Sequence, residues 1–323
     1  MRYSIVFTAA LAASVQAHGV ITAVQGANGV TMPGLSVADG TPRDSGNPLS
    51  GAEADTSIIR AKEMGGKASA LGRTASGPVD AGAAIAKFMG TGAAGAAGGA
   101  KAAGAKAAGA GAAKAAGAAG GAGGAAGGLA ALLGGLGGNK GGNKRGLLDS
   151  LLGGAGGAGA GAGTKTPKGT TEQGVAAAAG TGASTGLPTT SDDGTITMTF
   201  HQVNQDGAGP LTAAIDATSG GTDPAAFQKA QVTQNVPGIG IGGLSAASST
   251  DFPVKVQMPA GMTCQGTSGG VSNVCVVRLQ NAALAGPFGG SGAFTQSAAA
   301  KKRAIEYNLR KRHMARGILG KPE

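Results

Sequence analysis

Between residues 195 and 203 the chain reads TITMTFHQV, with Ile196, Met198 and Phe200 alternating against threonines. A period of two sends successive side chains to opposite faces, so this run predicts a strand with one face buried. FPVKVQM (252 to 258) repeats the pattern, with Phe252, Val254, Val256 and Met258 on one face and Lys255 and Gln257 on the other. VCVVRL (274 to 279) predicts a third, more deeply buried strand, and PLTAAID (210 to 216) a fourth. FQKAQVTQNVPGIG, starting at residue 227, is mixed in character and reads as a helical turn or a loop. Nearer the N-terminus, VITAV, VTMPGLSV and SIIRA are short apolar bursts separated by Gly, Pro, Asn and Asp, the punctuation of short strands and turns.

The pattern stops from Thr91 to Thr166. This stretch, which includes GAAGGAKAAGAKAAGAGAAKAAG, is almost entirely Gly and Ala with scattered Lys, and after Thr91 no aromatic or β-branched residue occurs before Thr164. So few large side chains cannot offset roughly 1 to 2 kcal/mol of backbone entropy per ordered residue. The segment is expected to be a disordered insertion. The flanking pieces, 18–90 and 167–298, predict an all-β chain, a β-sandwich with residues 91–166 looped out, which loop-closure entropy tolerates. The glycine count of 65 and the absence of Trp therefore describe mainly the insertion, not the core.

Charge follows the same partition. Residues 98–168 carry eight Lys and Arg against one Asp, residues 300–323 eight against two, and the remainder ten against thirteen. The overall basicity thus belongs to the insertion and to a basic tail, 299–323. Lysines without aromatics do not form a base-stacking surface, so no nucleic-acid partner is expected. Lys144-Arg145, Lys302-Arg303 and Lys311-Arg312 have the form of dibasic processing sites, and equally of solvated charge runs. The tail AAAKKRAIEYNLRKRHMARGI also has helical periodicity.

Processing alters the chemistry of the other end. MRYSIVFTAALAASVQA offers Arg2, an apolar run from Ile5 to Val15, and small residues Val15 and Ala17 at the −3 and −1 positions of a signal peptide, residues 1–17. Cleavage after Ala17 would make His18 the terminus of a secreted protein, outside the cell or in its wall. No later run approaches the roughly 18 to 20 apolar residues of a spanning helix, so no transmembrane segment is expected. We expect a monomer. In an oxidising compartment Cys264 and Cys275, in CQGTSGGVSNVC, predict a disulfide between two strands, restraining the unfolded chain by about 2 to 3 kcal/mol.

Of three histidines, His18 would begin the first strand, His201 follows Phe200, and His313 lies in the tail, where solvation is expected. A terminal histidine offers its α-amine and its ring, and a second imidazole completes a nearly planar set of three nitrogens. Tetragonal nitrogen ligation with open positions suits Cu(II). The bland alternative for His201 is a satisfied hydrogen bond near a strand end. Asp206, in HQVNQDGAGP, reads as a turn cap, and Asp192-Asp193 in TTSDDGT as a hairpin turn. No pair of carboxylates has glycosidase character, and VPGIGIGG lacks the strand–helix context of a dinucleotide loop.

The two histidines resemble the histidine brace of lytic polysaccharide monooxygenases, secreted copper enzymes on an immunoglobulin-like β-sandwich that cleave glycosidic bonds oxidatively, and the resemblance implies that form of all-β sandwich here. That resemblance implies copper on His18 and His201, with an aromatic at its axial side and a catalytic Gln or Glu close by. In GPFGGSGAFTQ, residues 286 to 296, Phe294 and Gln296 are the candidates for those roles, followed by Phe288. For Phe294 an ordinary place in the core is the competing reading. A broader resemblance rests on HGVITAVQGANGVTMPGLSV, FHQVNQDGAGPLTAAIDATSGGTDPAAF, VPGIGIGGLSAASSTDFPVKVQMPAGMTC and NVCVVRLQNAALAGPFGGSGAFTQS with KKRAIEYNLRKRH. In order and covering both β-pieces, these are similar to the fungal Egh-like virulence factors, also known as Gas-like or Mas-like appressorium-specific proteins. That family implies a role in host penetration without fixing an activity. Together the resemblances imply oxidative action on a cell-wall polysaccharide, of host or fungus; the non-enzymatic alternative is a secreted effector or wall-associated adhesion protein. Absence of Trp argues against docking through a flat aromatic surface.

Overall fold

A computed structural model describes residues 18–92, 161–205, 207–238, 245, 247–283 and 286–319. The expected signal peptide, most of the Gly/Ala segment with Lys144-Arg145, and Asp206 lie outside these residues. The strands are β1 (Gly19–Gln25), β2 (Thr31–Pro33), β3 (Ser57–Ile58), β4 (Arg73–Thr74), β5 (Gly77–Pro78), β6 (Thr164–Lys165), β7 (Thr195–Gln202), β8 (Thr212–Asp216), β9 (Phe227–Gln234), β10 (Thr250–Gln257), β11 (Gly266–Ser268), β12 (Val271–Gln280) and β13 (Phe288–Phe294). Among the described residues four α-helices accompany them, α1 (Ala81–Met89), α2 (Gly174–Ala178), α3 (Gly182–Thr185) and α4 (Ala298–Leu319).

The strands form one antiparallel sheet in the order β2-β1-β7-β10-β9-β8-β12-β13-β3-β4-β5, with β6 on β10 and β11 on β12. Its two layers are joined through β9, which pairs with β8 over Phe227 to Ala230 and with β10 over Gln231 to Gln234. The sheet curls on itself, so the expected all-β architecture is present as one half-barrel rather than two separate sheets. Strands from both sides of the insertion interleave: β1 pairs with β7 and β3 with β13.

Period-two positions fill the space between the layers. Ile21, Val24, Ile196, Met198, Phe200, Val254, Val256, Val277, Leu279 and Phe294 form one buried cluster. The layers approach closely because β13 is nearly bare: a Cβ on Gly290 would stand 2.6 Å from the Ile21 nitrogen, and one on Gly292 2.3 Å from Val24 Cγ2. Alternate residues of β12, Val274 and Val276, face a second cluster on the outside with Ile85 and Phe88 of α1. Both faces of β12 are covered, as its continuous apolar run requires.

Several elements depart from the sequence reading: short helices α2 and α3 fall within the expected β-piece 167–298, and two larger departures have clear causes. FQKAQVTQ is strand β9, not a turn or loop. Its weak pattern arises because its outward positions are exposed Gln, Lys and Thr and its inward ones small or partly covered. The second departure is α1, read from sequence as part of the β-piece. Asp80 caps it by accepting from the Ala83 N–H, Ile85 and Phe88 share one buried face, and Gly90 ends it in a left-handed conformation at φ 72°. The tail does form a helix, α4, anchored by buried Ala300 and Ala304 and by Asn308, which donates to the Gly261 carbonyl at 2.8 Å. Both later dibasic pairs fall within it. The disulfide Cys264–Cys275 is present.

A buried ion cluster ties the two chain pieces together. Arg43 donates to Asp55 at 3.0 Å and to Glu172 at 2.9 and 3.0 Å. Burial opposes the Arg43 charge, but hydrogen bonds and attraction from Asp55 and Glu172 hold the guanidinium above its ordinary value.

Candidate functional site

His18 enters β1 with its backbone already in the ladder. Its carbonyl accepts from the Val203 N–H at 3.0 Å, one rung beyond the Gly19–Gln202 pair, while His201 faces Val20. The two histidines are therefore diagonal neighbours on adjacent strands, a relation that sets Cα atoms about 7 to 8 Å apart. The turn after β7 comes close enough to hold this end: a Cβ on Gly207 would lie 1.9 Å from the His18 carbonyl oxygen. Only glycine fits there.

Each ring has its own surroundings. His18 is 8% exposed, its ring stacks at 4.4 Å and 41° on Phe288, and its Nδ1 lies within 3.3 Å of Glu53 Oε1. Asn204 links the group, accepting from the His18 backbone nitrogen at 2.8 Å and donating to Glu53 Oε1 at 3.0 Å. His201 is fully buried and holds Asp251 Oδ1 at 2.7 Å through Nδ1. A carboxylate only accepts, so in the neutral ring Nδ1 carries the proton and Nε2 keeps its lone pair. That Nε2 is buried with no hydrogen-bond partner among the described residues.

These observations bear on whether copper fits. A ring nitrogen with a free lone pair, its opposite nitrogen fixed by a carboxylate, is the usual form of a metal-bound histidine. His201 fits. Among the described residues no three His, Cys, Asp or Glu side chains converge on one point, so an ion here must also draw on the backbone nitrogen of His18. In the translated chain that nitrogen belongs to a peptide bond, and only cleavage before His18 makes it an amine.

The other sequence candidates are elsewhere. Phe294 is fully buried in the main core opposite Cys275, at the far end of β13 from Phe288. Six steps along the extended strand set their Cα atoms about 20 Å apart. Gln296 is tied to backbone beside the disulfide, accepting from the Cys264 N–H and donating to the Met262 carbonyl, each at 2.9 Å. Neither Phe294 nor Gln296 is brought to His18; the aromatic there is Phe288. His313 is exposed on α4. Sequence reasoning missed Glu53, Asn204 and Asp251. Asp251 had a signal, since it precedes an alternating strand whose register sets it beside His201; Glu53 and Asn204 sit in irregular segments without periodicity.

Comparisons with known proteins agree with the broader resemblance. The appressoria-specific virulence factor GAS2 of Pyricularia oryzae is 55% identical over 322 residues, covering 98% of this chain and 97% of that protein. The appressoria-specific virulence factor GAS1 of the same fungus is 40% identical over 129 residues, 39% of this chain and 50% of its own. No solved structure matches. Among the described residues no helix is long and apolar enough to cross a membrane. Residues 16–289 match the Egh16-like virulence factor family, and the chain belongs to that family.

Proposed function

We propose that this protein is a secreted virulence factor of the fungal infection structure that binds one copper ion through the amine and ring of His18 and Nε2 of His201, and acts oxidatively on a cell-wall polysaccharide. The observation that carries the metal reading is the buried Nε2 of His201, without a partner among the described residues, on the strand beside the one that His18 begins. Copper, once bound, would supply one-electron chemistry with oxygen or peroxide. The chain's own residues set the conditions for it. Asp251 orients His201 and fixes its tautomer, the Val203 N–H holds the His18 backbone in register, and Phe288 shields one side of the His18 ring. Glu53 faces Nδ1 and must share or yield it. The role at the infection structure is carried by the two relatives whose names state it.

A Cu(II) titration by calorimetry and electron paramagnetic resonance, on protein beginning at His18 and on a copy with one extra residue ahead of it, tests this reading. Tight binding with nitrogen hyperfine structure that vanishes in the extended copy is the expected result, and equal weak binding by both would overturn it. The zero exposure of His201 favours a second reading, a non-enzymatic effector or wall-associated protein whose histidines are structural. Reductant-dependent release of oxidised oligosaccharides supports the enzyme, and wall binding unchanged by His201→Ala supports the rival.

A further inference from the structure

At the other end of the sheet a cleft of about 580 Å³ opens between β9, the β10–β11 connection and the first turns of α4. Its size falls within the roughly 300 to 1,000 Å³ of small-ligand sites. The helix contributes Ala300, Arg303, Ala304 and Tyr307, an i, i+3, i+4, i+7 set that shares one face. Ala300 and Ala304 seal that face onto the protein, while Arg303 and the half-exposed Tyr307 border the opening.

The lining divides into walls and available groups. Gln257 and Gln296 are committed to the protein: Gln257 donates to the Asp193 carbonyl at 2.7 Å and accepts from Thr195 Oγ1 at 2.9 Å, and Gln296 is bound to the backbone at Cys264 and Met262. Met258 and Met262 make an apolar floor. Lys229 on β9 and Arg303 on α4 remain as cations, Tyr307 as an aromatic face, and Asp193 as an acceptor. Hydrogen bonds from the Ser191 hydroxyl and the Thr195 N–H, with the charge of Arg303, hold the Asp193 carboxyl below its usual range, so it stays ionised and accepting. The helix behind the cleft adds to its positive field, with seven Lys and Arg against one Glu.

We infer that this cleft binds an acidic oligosaccharide built of uronic acid units. Such a ligand joins the features the lining asks for. Its planar carboxylate matches the guanidinium fork of Arg303 and the ammonium of Lys229, its hydroxyls can donate to Asp193, and its ring face lies against Tyr307 and the methionine floor. A neutral sugar leaves Lys229 unanswered and Arg303 with Asp193 alone; a simple anion leaves the aromatic and apolar surface unused. The inference does not rest on copper, because the cleft adjoins the disulfide end of β13 and the histidines the other end.

The test is calorimetric titration of the full secreted chain with a galacturonic acid trimer, alongside a chitin trimer and inorganic phosphate, with methyl resonances of Met258 and Met262 followed by nuclear magnetic resonance. The expected result is binding of the uronate alone, shifting both methyls, weakening as salt is raised, and falling at least tenfold in Arg303→Ala and severalfold in Tyr307→Ala. Arg303→Lys, which keeps the charge and loses the fork, should fall between. The His18→Ala and His201→Ala variants should bind the trimer as the parent does, so failure of the copper reading and failure of this one are distinguishable. Equal binding of the neutral trimer, equal competition by phosphate, or undiminished uronate binding by Arg303→Ala would each overturn the proposal.

Discussion

The two ends of β13 are built on different principles. At the Phe288 end polar groups dominate: buried His18 and part-buried Asn204 and Glu53 form a chain of contacts, and buried His201 on β7 holds the partly exposed Asp251 of β10. At the Phe294 end the interior is apolar, stapled by Cys264–Cys275 and roofed by α4. The difference teaches that the first end depends on register and the second on burial. A residue that matters at one should be nearly silent at the other.

Substituting the two phenylalanines gives the strongest contrast. Phe294→Ala should cost about 3 to 5 kcal/mol, the range for a large core aromatic, without changing copper affinity. Phe288→Ala, whose apolar cluster among the described residues is the small one with Ala283 and Ile58, should cost less and weaken copper binding. Chemical denaturation with copper titration checks both, and equal copper affinities would erase the contrast. Removing both cysteines should lower stability by about 2 to 3 kcal/mol, seen as an earlier urea midpoint with the histidine end intact. Asp251→Asn should reduce copper affinity roughly 10- to 100-fold, as loss of a carboxylate behind a metal-bound histidine does, with little change in melting temperature. The smallest effect belongs to neither end. Arg73, then Arg60, hold the Glu63 carboxyl by hydrogen bonds at about 2. Its folded value is depressed below the usual carboxylate range near 4.3, so its contribution is present above that pH and lost as pH falls toward 2. Glu63→Gln should flatten a shallow part of the acid unfolding curve in that window.

Much of this was legible where local chemistry dictates structure. Strands β7 and β10 follow from alternation, β12 from its continuous apolar run and β8 from a short apolar stretch, the disulfide from two cysteines flanking a turn, and α4 from its period. Long-range placement was not legible. Phe288, Phe294 and Gln296 lie within nine residues of sequence, yet an extended strand sets Phe288 at one end of β13 and Phe294 and Gln296 at the other. Strand β9 was obscured because a strand shared by two layers has no consistently apolar face. Helix α1 borders a Gly/Ala segment whose composition it shares, and only its cap and two large apolar residues set it apart. Asn204 meets His18 across 186 positions and Glu53 across 151, contacts that no periodicity encodes.

That span bears on how the molecule is made. Strand β1 has β2 as a local neighbour on one edge, but its other edge is completed only by β7, beyond the whole insertion. A chain emerging N-terminus first holds an apolar strand edge open until nearly two hundred residues have been added, and such edges are templates for wrong pairing. Lengthening the intervening Gly/Ala segment adds only about 0.6 kcal/mol of closure entropy per doubling. Its length should therefore matter more to yield during synthesis than to the stability of the finished protein.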